Sequence, residues 1–287
     1  MNEWSETWTW MDGKWHEGNV PMLGVRSHAT WLGSSVFDGA RVFEGCMPDI
    51  DRHAERVNRS AASLGLKPSM KAGEIVELTQ EAATKFVSKD ALYIRPMYWA
   101  EQGGFMGVVP NGDTTRFSLI AYVTPMPEPT GFTAMTTRIR RPAPDQAPVY
   151  AKAGCLYPMS GQAMRDAQAE GFENAIVLDP IGNIAEFATA NLWLAKDGVA
   201  YTPVANGTFL NGITRQRIIT LLRESGTEVV EKTLNIKDLY DSDEVFATGN
   251  YSKVMPVTKV DHKQFQPGPI AKKARTLYWE FAHGSAK

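Results

Sequence analysis

The second half of the chain carries a run of strand patterns joined by tight-turn signals, and this run constrains the fold most. ENAIVLDPIGNIAEF predicts a hairpin turning over Asp179–Asn183, and NLWLAKDGVAYTP predicts another turning at Asp197-Gly198. EVFATGNYSKVMPVTKVD predicts a strand, a tight turn and a second strand. Because these hairpins are mixed with helices and lack βαβ regularity, the pattern predicts an α+β fold in two layers.

The first half shows the same mixture of hairpins and helices. Aromatic and polar residues alternate around Asp12-Gly13, which predicts an opening β-hairpin, and a strand is expected near Ala40–Phe43. Apolar residues at helical spacing predict an amphipathic helix over Arg52–Leu64, and a second helix is expected over Ala72–Val87. The segments ALYIRPMYWA and FSLIAYVTPM then predict two strands.

The segment PMPEPTG at 125–131 predicts the boundary between two domains. Its three prolines are unsuited to the interior of a sheet or helix. We therefore expect a small α+β domain over 1–124, a linker over 125–131 and a larger domain over 132–287. Within the larger domain, SGQAMRDAQAEG and ITRQRIITLLRES predict helices.

Composition excludes several classes of function. A formal charge of -2 over 287 residues gives no electrostatic field to attract nucleic acid or an anionic membrane. Cys46 and Cys155 form neither a disulfide framework nor a paired metal-ligand spacing, so we expect no metal site and a reducing, cytoplasmic compartment. The start MNEWSETWTW does not resemble a signal peptide, and no apolar run approaches the ~20 residues that span a bilayer.

The segment VYAKAGCLY contains the first candidate catalytic residue. Lys152 follows an apolar run and precedes an Ala-Gly pair, whose small size leaves room for a flat ligand against the backbone. A lysine among apolar neighbours is more readily neutral, and its amine can then attack a carbonyl to form a Schiff base. On spacing alone, a surface lysine at the end of a strand is the favoured interpretation.

Four further features indicate a ligand, although each has an ordinary structural explanation. Glu186 lies in the otherwise uncharged IGNIAEFATAN, where a buried carboxylate needs a cationic partner. Asn211–Thr214 opens a predicted helix and is suited either to phosphate binding or to plain capping. Thr248–Asn250 forms a tight turn whose backbone could approach a ligand. Arg56, on the predicted first helix, is either a phosphate-binding guanidinium or a solvated side chain.

The order and spacing of these features are more specific than any one of them. The chain contains a lysine in AKAG, a tyrosine five residues on, a glutamate thirty-four on, GITR at a helix start and a Thr-Gly turn between strands. Together, these features resemble the fold-type-IV pyridoxal-phosphate enzymes. Among these, the chain looks most like the branched-chain aminotransferases, from SHATWLGSSVFDGAR to VMPVTKVD. The resemblance implies a two-domain α+β fold, the cofactor pyridoxal 5′-phosphate held by the larger domain, and transamination.

The resemblance also implies roles for individual residues. Lys152 would form the Schiff base and carry the proton between the substrate Cα and the cofactor C4′. Glu186 would keep the pyridine nitrogen protonated, so that the ring accepts electrons. Tyr157 would bind the phenolic oxygen, and Leu210 would pack on the ring. The remaining cofactor-binding residues would hold the phosphate: Arg56, Ile213, Thr214 and Asn250.

The implied substrate pocket departs from the family pattern. Its residues are Trp31, Leu32, Phe37, Tyr93, Arg95, Met106, Val108 and Tyr251. In the family, the loop at Met106–Val108 reaches the neighbouring subunit's site, which implies a homodimer with shared active sites. Leu32 stands where a tyrosine is usual, Asn250-Tyr251 replaces a Thr-Ala pair, and Cys155-Leu156 replaces Gly-Asn. The reaction follows from the resemblance, whereas these departures leave the substrate open.

Several substrates and activities remain as alternatives. The small-molecule amino donor is either a hydrophobic L-amino acid, favoured by Tyr93 and Arg95, or a carboxylate-free (R)-amine, which Leu32 and Tyr251 keep open; the acceptor is a 2-oxo acid. D-amino acid transamination is less favoured, because further basic residues are lacking. A lyase resembling aminodeoxychorismate lyase would need more cations than Arg95. A non-catalytic binder is disfavoured by the Lys152–Glu186 pair.

Overall fold

The computed structural model describes residues 4–87 and 90–284, and the chain separates into two compact units. The first unit runs to Met126 and also takes in Ala151–Cys155, and the second comprises Pro127–Tyr150 and Leu156–Gly284. The division after Met126 falls within the predicted linker at 125–131. The segment Ala151–Cys155, which the sequence places in the domain over 132–287, groups by its contacts with the first unit. No helix in the described residues is long and apolar enough to cross a membrane.

The first unit is built around an antiparallel sheet. Its strands and helices are β1 (Thr7–Met11), β2 (Lys14–Glu17), α1 (His28–Leu32), β3 (Ser35–Phe37), β4 (Ala40–Val42), α2 (Ile50–Ser63), α3 (Ala72–Ala83), β5 (Leu92–Ala100) and β6 (Thr115–Val123). The strands lie in the order β2-β1-β6-β5-β3, and β4 also pairs with β5. The predicted opening hairpin is confirmed, and both its turn residues, Asp12 and Gly13, have positive φ.

Helix α2 packs against the sheet of the first unit through small and branched side chains. Ala54, Val57 and Ala61 are fully buried at helical spacing, which confirms the predicted amphipathic helix. Helix α3 begins at the predicted residue but ends at Ala83, so the expected extension to Val87 is wrong. Val87 is almost fully exposed, and a further helical turn would therefore bury nothing there.

The second unit contains a larger mixed sheet. Its elements are β7 (Phe132–Arg140), α4 (Tyr157–Ala169), β8 (Asn174–Leu178), β9 (Ile184–Phe187), β10 (Asn191–Lys196), β11 (Val199–Pro203), α5 (Ile213–Glu224), β12 (Val229–Lys232), α6 (Ile236–Tyr240), β13 (Glu244–Gly249), β14 (Lys253–Val260), β15 (Lys263–Gln264) and α7 (Pro269–Gly284). The strand order is β12-β11-β10-β13-β14-β7-β8-β9, and β15 pairs with β14.

All three hairpins predicted in the second half are present. The pairs β8–β9, β10–β11 and β13–β14 are antiparallel, whereas β7 pairs in parallel with both β8 and β14. Buried apolar side chains from these strands form one core, which includes Phe187, Leu192, Val245 and Val257. This core fixes the turns between strands, including the turn between β13 and β14. The α+β prediction is confirmed.

Candidate active site

The backbone around Lys152 is fixed to the first unit on both sides. The Lys152 carbonyl accepts a hydrogen bond of 3.1 Å from the Phe37 N–H, and the Lys152 N–H donates to the Ser60 hydroxyl at 3.1 Å. The next residue, Ala153, forms a bridge with Val36. The Lys152 Nζ lies 4.8 Å from the centre of the Phe37 ring. The lysine is therefore anchored by its main chain and directs its amine over an aromatic face.

Strand alternation gathers an arginine and three aromatic rings on one face of the first sheet. Tyr93 and Arg95 lie two residues apart on β5, and Tyr122 is directly opposite Tyr93 on β6. The Arg95 guanidinium lies 5.3 Å, 5.5 Å and 5.9 Å from the rings of Tyr93, Tyr122 and Phe37. Its Nη2 donates to the Tyr122 hydroxyl at 2.7 Å. The Phe37 ring thus contacts both Arg95 and Lys152.

Arg56 is held by a buried carboxylate. Its Nε and Nη2 donate to the two oxygens of Asp38 at 2.6 Å and 2.8 Å, and His53 Nδ1 lies 2.7 Å from the same carboxylate. Burial by itself would raise the pKa of Asp38, but the Arg56 charge and hydrogen bonds, and those of His53, lower it well below its ordinary value. The carboxylate therefore stays ionised and fixes the direction of the guanidinium.

In the second unit, Glu186 lies buried on β9 beside a cation. Arg141 Nε lies 3.3 Å from the Glu186 carboxylate and also donates to the Thr208 carbonyl at 3.1 Å. This ion pair offsets the cost of burying a carboxylate, and it supplies the cationic partner that the sequence requires for Glu186. A buried carboxylate of this kind is suited to a protonated ring nitrogen.

The amide of Asn191 connects Glu186 to the start of α5. Its Nδ2 donates to the Leu210 carbonyl at 2.9 Å and lies 3.4 Å from Glu186 Oε2. Its Oδ1 accepts a hydrogen bond of 3.1 Å from the Gly212 N–H. A Cβ at Gly212 would lie 2.2 Å from that oxygen, so only glycine allows this close approach. One side chain therefore contacts the Glu186 carboxylate and fixes the backbone at Leu210 and Gly212, all within the predicted cofactor site.

The first turn of α5 presents backbone N–H groups without a side-chain cap. Gly212 is the N-cap residue, and Ile213 and Thr214 begin the helix. Since the first N–H groups of a helix have no intrahelical partner, this end is suited to an anion. The Thr214 side chain is buried at the same end. The helix start predicted from NGIT is confirmed.

Two other predicted cofactor residues lie at element ends of the second unit. Asn250 occupies the turn between β13 and β14, and its buried Nδ2 has no hydrogen-bond partner within the described part of the chain. Tyr157 is the first residue of α4 and remains partly exposed. Both positions allow contact with a ligand.

The predicted pocket residues lie on several elements of the two units. Trp31 lies beside Gly107, and His28 Nε2 contacts the Val108 carbonyl at 3.1 Å, so α1 and the 105–108 loop pack together. Met106 is 82% exposed, and Leu32 and Val108 are also exposed. None of the described aromatic contacts of Arg95 involves these residues. Tyr251 is exposed and belongs to the second unit.

Comparison with known proteins agrees with this arrangement. The model for the amino-transferase class IV family matches residues 35–260. The chain belongs to the class IV aminotransferases. The branched-chain-amino-acid aminotransferase of Salmonella typhimurium is 34% identical over 97% of this chain and 94% of its own, and a probable enzyme of the same name from Rickettsia bellii is 34% identical over 88% and 86%.

Solved structures give the same assignment. An aminotransferase from Brucella abortus bound to pyridoxal phosphate has 52% identity and a TM-score of 0.96, covering 97% of this chain and 99% of its own. The branched-chain aminotransferase of Escherichia coli has 30% identity and a TM-score of 0.88, covering 99% and 97%. This class IV chain is therefore an aminotransferase that depends on pyridoxal phosphate, as the sequence predicts.

The residues present fit this cofactor. The uncapped start of α5 and the unpartnered Nδ2 of Asn250 supply donors for a phosphate, and Glu186 supplies a buried carboxylate for the ring nitrogen. A lysine with a fixed backbone is present at Lys152. The individual assignments of these residues remain predictions.

The structure also shows contacts that sequence reasoning missed. The missed residues are Asp38, His53, Tyr122, Arg141, Asn191 and Lys253. Only Arg141 had a usable signal, because the buried carboxylate predicted at Glu186 required a cation. Asp38, His53, Tyr122 and Asn191 make contacts between segments 15 to 27 residues apart, whereas Lys253 contacts Asn250 only three residues away.

Proposed function

We propose that this enzyme transfers the amino group of a hydrophobic, branched-chain-like L-amino acid to a 2-oxo acid by a ping-pong reaction. The amino donor binds first and leaves as a ketone-containing product, and the 2-oxo acid then collects the nitrogen. The names of the relatives support branched-chain substrates. The arrangement around Arg95 supports a donor that carries a carboxylate.

The observation that carries this proposal is the environment of Arg95. Its guanidinium lies among the rings of Phe37, Tyr93 and Tyr122, and its buried Nε has no hydrogen-bond partner among the described residues. A buried donor without a partner is unfavourable unless a ligand satisfies it. A carboxylate would supply a charged acceptor, and the rings would provide an apolar surface for a hydrocarbon side chain.

The remaining residues have distinct proposed tasks. When bound, pyridoxal phosphate supplies an aldehyde that accepts the nitrogen and a conjugated ring that accepts electrons. The Lys152 amine holds the cofactor and then moves the proton at the substrate Cα. Glu186, fixed by Arg141 and Asn191, keeps a proton on the ring nitrogen. The other cofactor-binding residues are Arg56, Tyr157, Leu210, Ile213, Thr214 and Asn250.

The same proposal includes a homodimer with shared active sites in the cytoplasm. The exposed apolar side chains of the 105–108 loop support the dimer, since surfaces of this kind are normally covered by a partner. Both cysteines are free, which supports a reducing compartment. Sedimentation of the purified enzyme at several concentrations tests the dimer.

A comparison of two donors tests the substrate. Leucine carries a carboxylate and 1-phenylethylamine does not, so Arg95→Met should weaken leucine by about 2–5 kcal/mol and leave the amine nearly unaffected. Transfer to a 2-oxo acid is measured with each donor. Arg116→Met is the matched control, because Arg116 lies on the neighbouring strand and binds Asp12 in an exposed ion pair.

Three results would contradict the proposal in different ways. Equal losses for leucine and the amine would make Arg95 a structural residue. A wild-type enzyme that accepts (R)-1-phenylethylamine and refuses leucine would establish the alternative amine transaminase. Amine release without an acceptor would indicate a lyase.

A further inference from the structure

A fully buried lysine lies three residues beyond Asn250. Lys253 is the first residue of β14, has no exposed surface and adopts a left-handed backbone conformation with φ 61°. Its Nζ donates to Asn250 Oδ1 at 2.8 Å and lies 5.6 Å from the centre of the Tyr278 ring. Burying an ammonium group and placing a residue other than glycine at positive φ are both unfavourable, so the position of Lys253 requires an explanation.

The contact with Lys253 determines which way the Asn250 amide faces. An ammonium group only donates hydrogen bonds, and so the amide oxygen must face Lys253. The amide nitrogen then faces the opposite way, where Nδ2 is buried and has no partner in the part of the chain that the structure describes. A buried donor left without an acceptor is costly and indicates a ligand.

The turn that carries Asn250 lies near the other predicted phosphate donors. Thr248 on β13 pairs directly with Asn191 on β10, and Asn191 binds the N–H of Gly212 at the start of α5. Asn250 therefore lies only two residues beyond Thr248, whose strand partner Asn191 holds the start of α5 in place. All of these residues belong to the second unit.

We propose that Lys253 is a positioning residue that turns the Asn250 amide so that Nδ2 donates to the cofactor phosphate. This inference rests on the proposed function, in which Asn250 is a phosphate ligand. Lys253 acts through Asn250: its ammonium fixes the acceptor end of the amide, and the donor end is thereby presented to the anion. The positive charge of Lys253 also polarises the amide and strengthens its N–H as a donor.

Phosphate recognition can be measured without turnover. The apoenzyme is titrated with pyridoxal 5′-phosphate and with pyridoxal, which lacks the phosphate. The readout is the affinity for pyridoxal 5′-phosphate divided by the affinity for pyridoxal. Lys253→Met should lower this ratio about tenfold, because one well-oriented bond to a charged group is lost, and should leave pyridoxal binding unchanged. Lys273→Met is the control, since Lys273 binds Ser225 and Thr227 in the same unit.

A double-mutant cycle tests whether Lys253 acts through Asn250. Asn250→Ala should lower the ratio by itself, and adding Lys253→Met to it should cause little further loss. Asn250→Thr should rescue Lys253→Met, because a hydroxyl can rotate to donate and needs no neighbour to orient it. A merely structural lysine would give neither the loss of additivity nor the rescue.

The failures of this inference and of the proposed phosphate site are distinguishable. An unchanged ratio in Asn250→Ala would remove Asn250 from the phosphate site. A lowered ratio in Asn250→Ala with a normal ratio in Lys253→Met would overturn only the role of Lys253. Equal losses of pyridoxal 5′-phosphate and pyridoxal binding in Lys253→Met would do the same. If Lys253→Met does not fold, Lys253→Gln replaces it: glutamine accepts as well as donates, cannot dictate the amide orientation, and should lower the ratio too. An unchanged ratio in that variant overturns the inference.

Discussion

The two units hold their predicted site residues by different means. In the first unit, charged side chains are fixed by other side chains: Asp38 binds Arg56, and the Tyr122 hydroxyl binds Arg95. In the second unit, backbone groups at a helix start and strand turns carry much of the site, and the amide of Asn191 holds them together. The first arrangement depends on individual charges, whereas the second depends on backbone position.

This difference predicts different responses to substitution. Removing one charge in the first unit leaves its partner buried and uncompensated, which costs stability as well as function. In the second unit, most side-chain changes leave the N–H groups at the start of α5 in place. Glu186 is the exception in the second unit, and Lys152 is a comparable case in the first unit. The proposed roles of both depend on chemical groups that no backbone atom can replace.

The largest effect is expected at Lys152. Lys152→Ala removes the amine that is proposed to move the proton, so transamination should fall by several orders of magnitude. The variant should still bind pyridoxal phosphate, because the phosphate donors of the second unit are unchanged. Rates and cofactor titration measure the two properties, and the exposed Lys67→Ala serves as the control.

The attachment site can also be found directly. Borohydride reduction of the holoenzyme, followed by peptide mass mapping, should place the cofactor on Lys152. An adduct on a different lysine would disprove the site assignment and would move the reactive amine out of the Phe37 environment.

A smaller but still large loss is expected at Glu186. Glu186→Gln keeps the shape and removes the charge, so turnover should fall by about 100-fold or more while cofactor affinity changes less. The control is Glu231→Gln, which breaks an ion pair with Arg215 in the same unit. Near-normal turnover in Glu186→Gln would assign the electron-accepting function to another group.

The sequence predicts the second-unit site better than the first. Glu186, the start of α5 and the turn at Asn250 are local features, since each is marked by composition or turn signals within a few residues. By contrast, Asp38 and Arg56 are 18 residues apart, and Arg95 and Tyr122 are 27 apart. Periodicity predicts the strands and the helix that carry these residues, but the register that brings them together depends on the folded sheet.

The grouping of Ala151–Cys155 with the first unit also depends on contacts between segments distant in the sequence. The hydrogen bonds between Lys152 and both Phe37 and Ser60 join segments about a hundred residues apart. The sequence indicates a reactive lysine from its neighbours, but it gives no sign of which unit holds the backbone.

Asp38→Asn tests the claim that the first unit depends on charge. The neutral amide leaves Arg56 without its carboxylate, so we expect a loss of about 3 kcal/mol in the free energy of unfolding. Chemical denaturation measures the loss. Asp113→Asn, which breaks the exposed pair with Lys67, is the control and should cost less than about 1 kcal/mol.

The same residue predicts a pH dependence with a definite sign. The pKa of Asp38 is lowered in the folded state from its ordinary value of 3.8, so the folded state binds fewer protons than the unfolded state at acid pH. Its contribution to stability is complete above about pH 4 and is lost as the pH falls towards the lower folded-state pKa. The stability of Asp38→Asn should therefore fall less steeply in this range, and parallel acid profiles would contradict the assignment.

The smallest effect is expected at Tyr122, and it sharpens the comparison because only a hydroxyl is removed. The Tyr122 oxygen accepts a 2.7 Å hydrogen bond from Arg95 Nη2, while the ring stacks on Tyr93 at 5.4 Å. Tyr122→Phe keeps the ring and frees the guanidinium to move, so binding of an amino acid carboxylate should weaken by about 1 kcal/mol, roughly fivefold. A hydrophobic amine should bind as before.

Tyr98→Phe is the matched control, because the Tyr98 hydroxyl accepts from the Met70 N–H, away from Arg95. If the two Tyr→Phe variants weaken leucine equally, the hydroxyl contributes only to the general packing of the sheet. A loss confined to Tyr122→Phe and to carboxylate donors would show that the first unit achieves specificity by fixing one charged side chain with another.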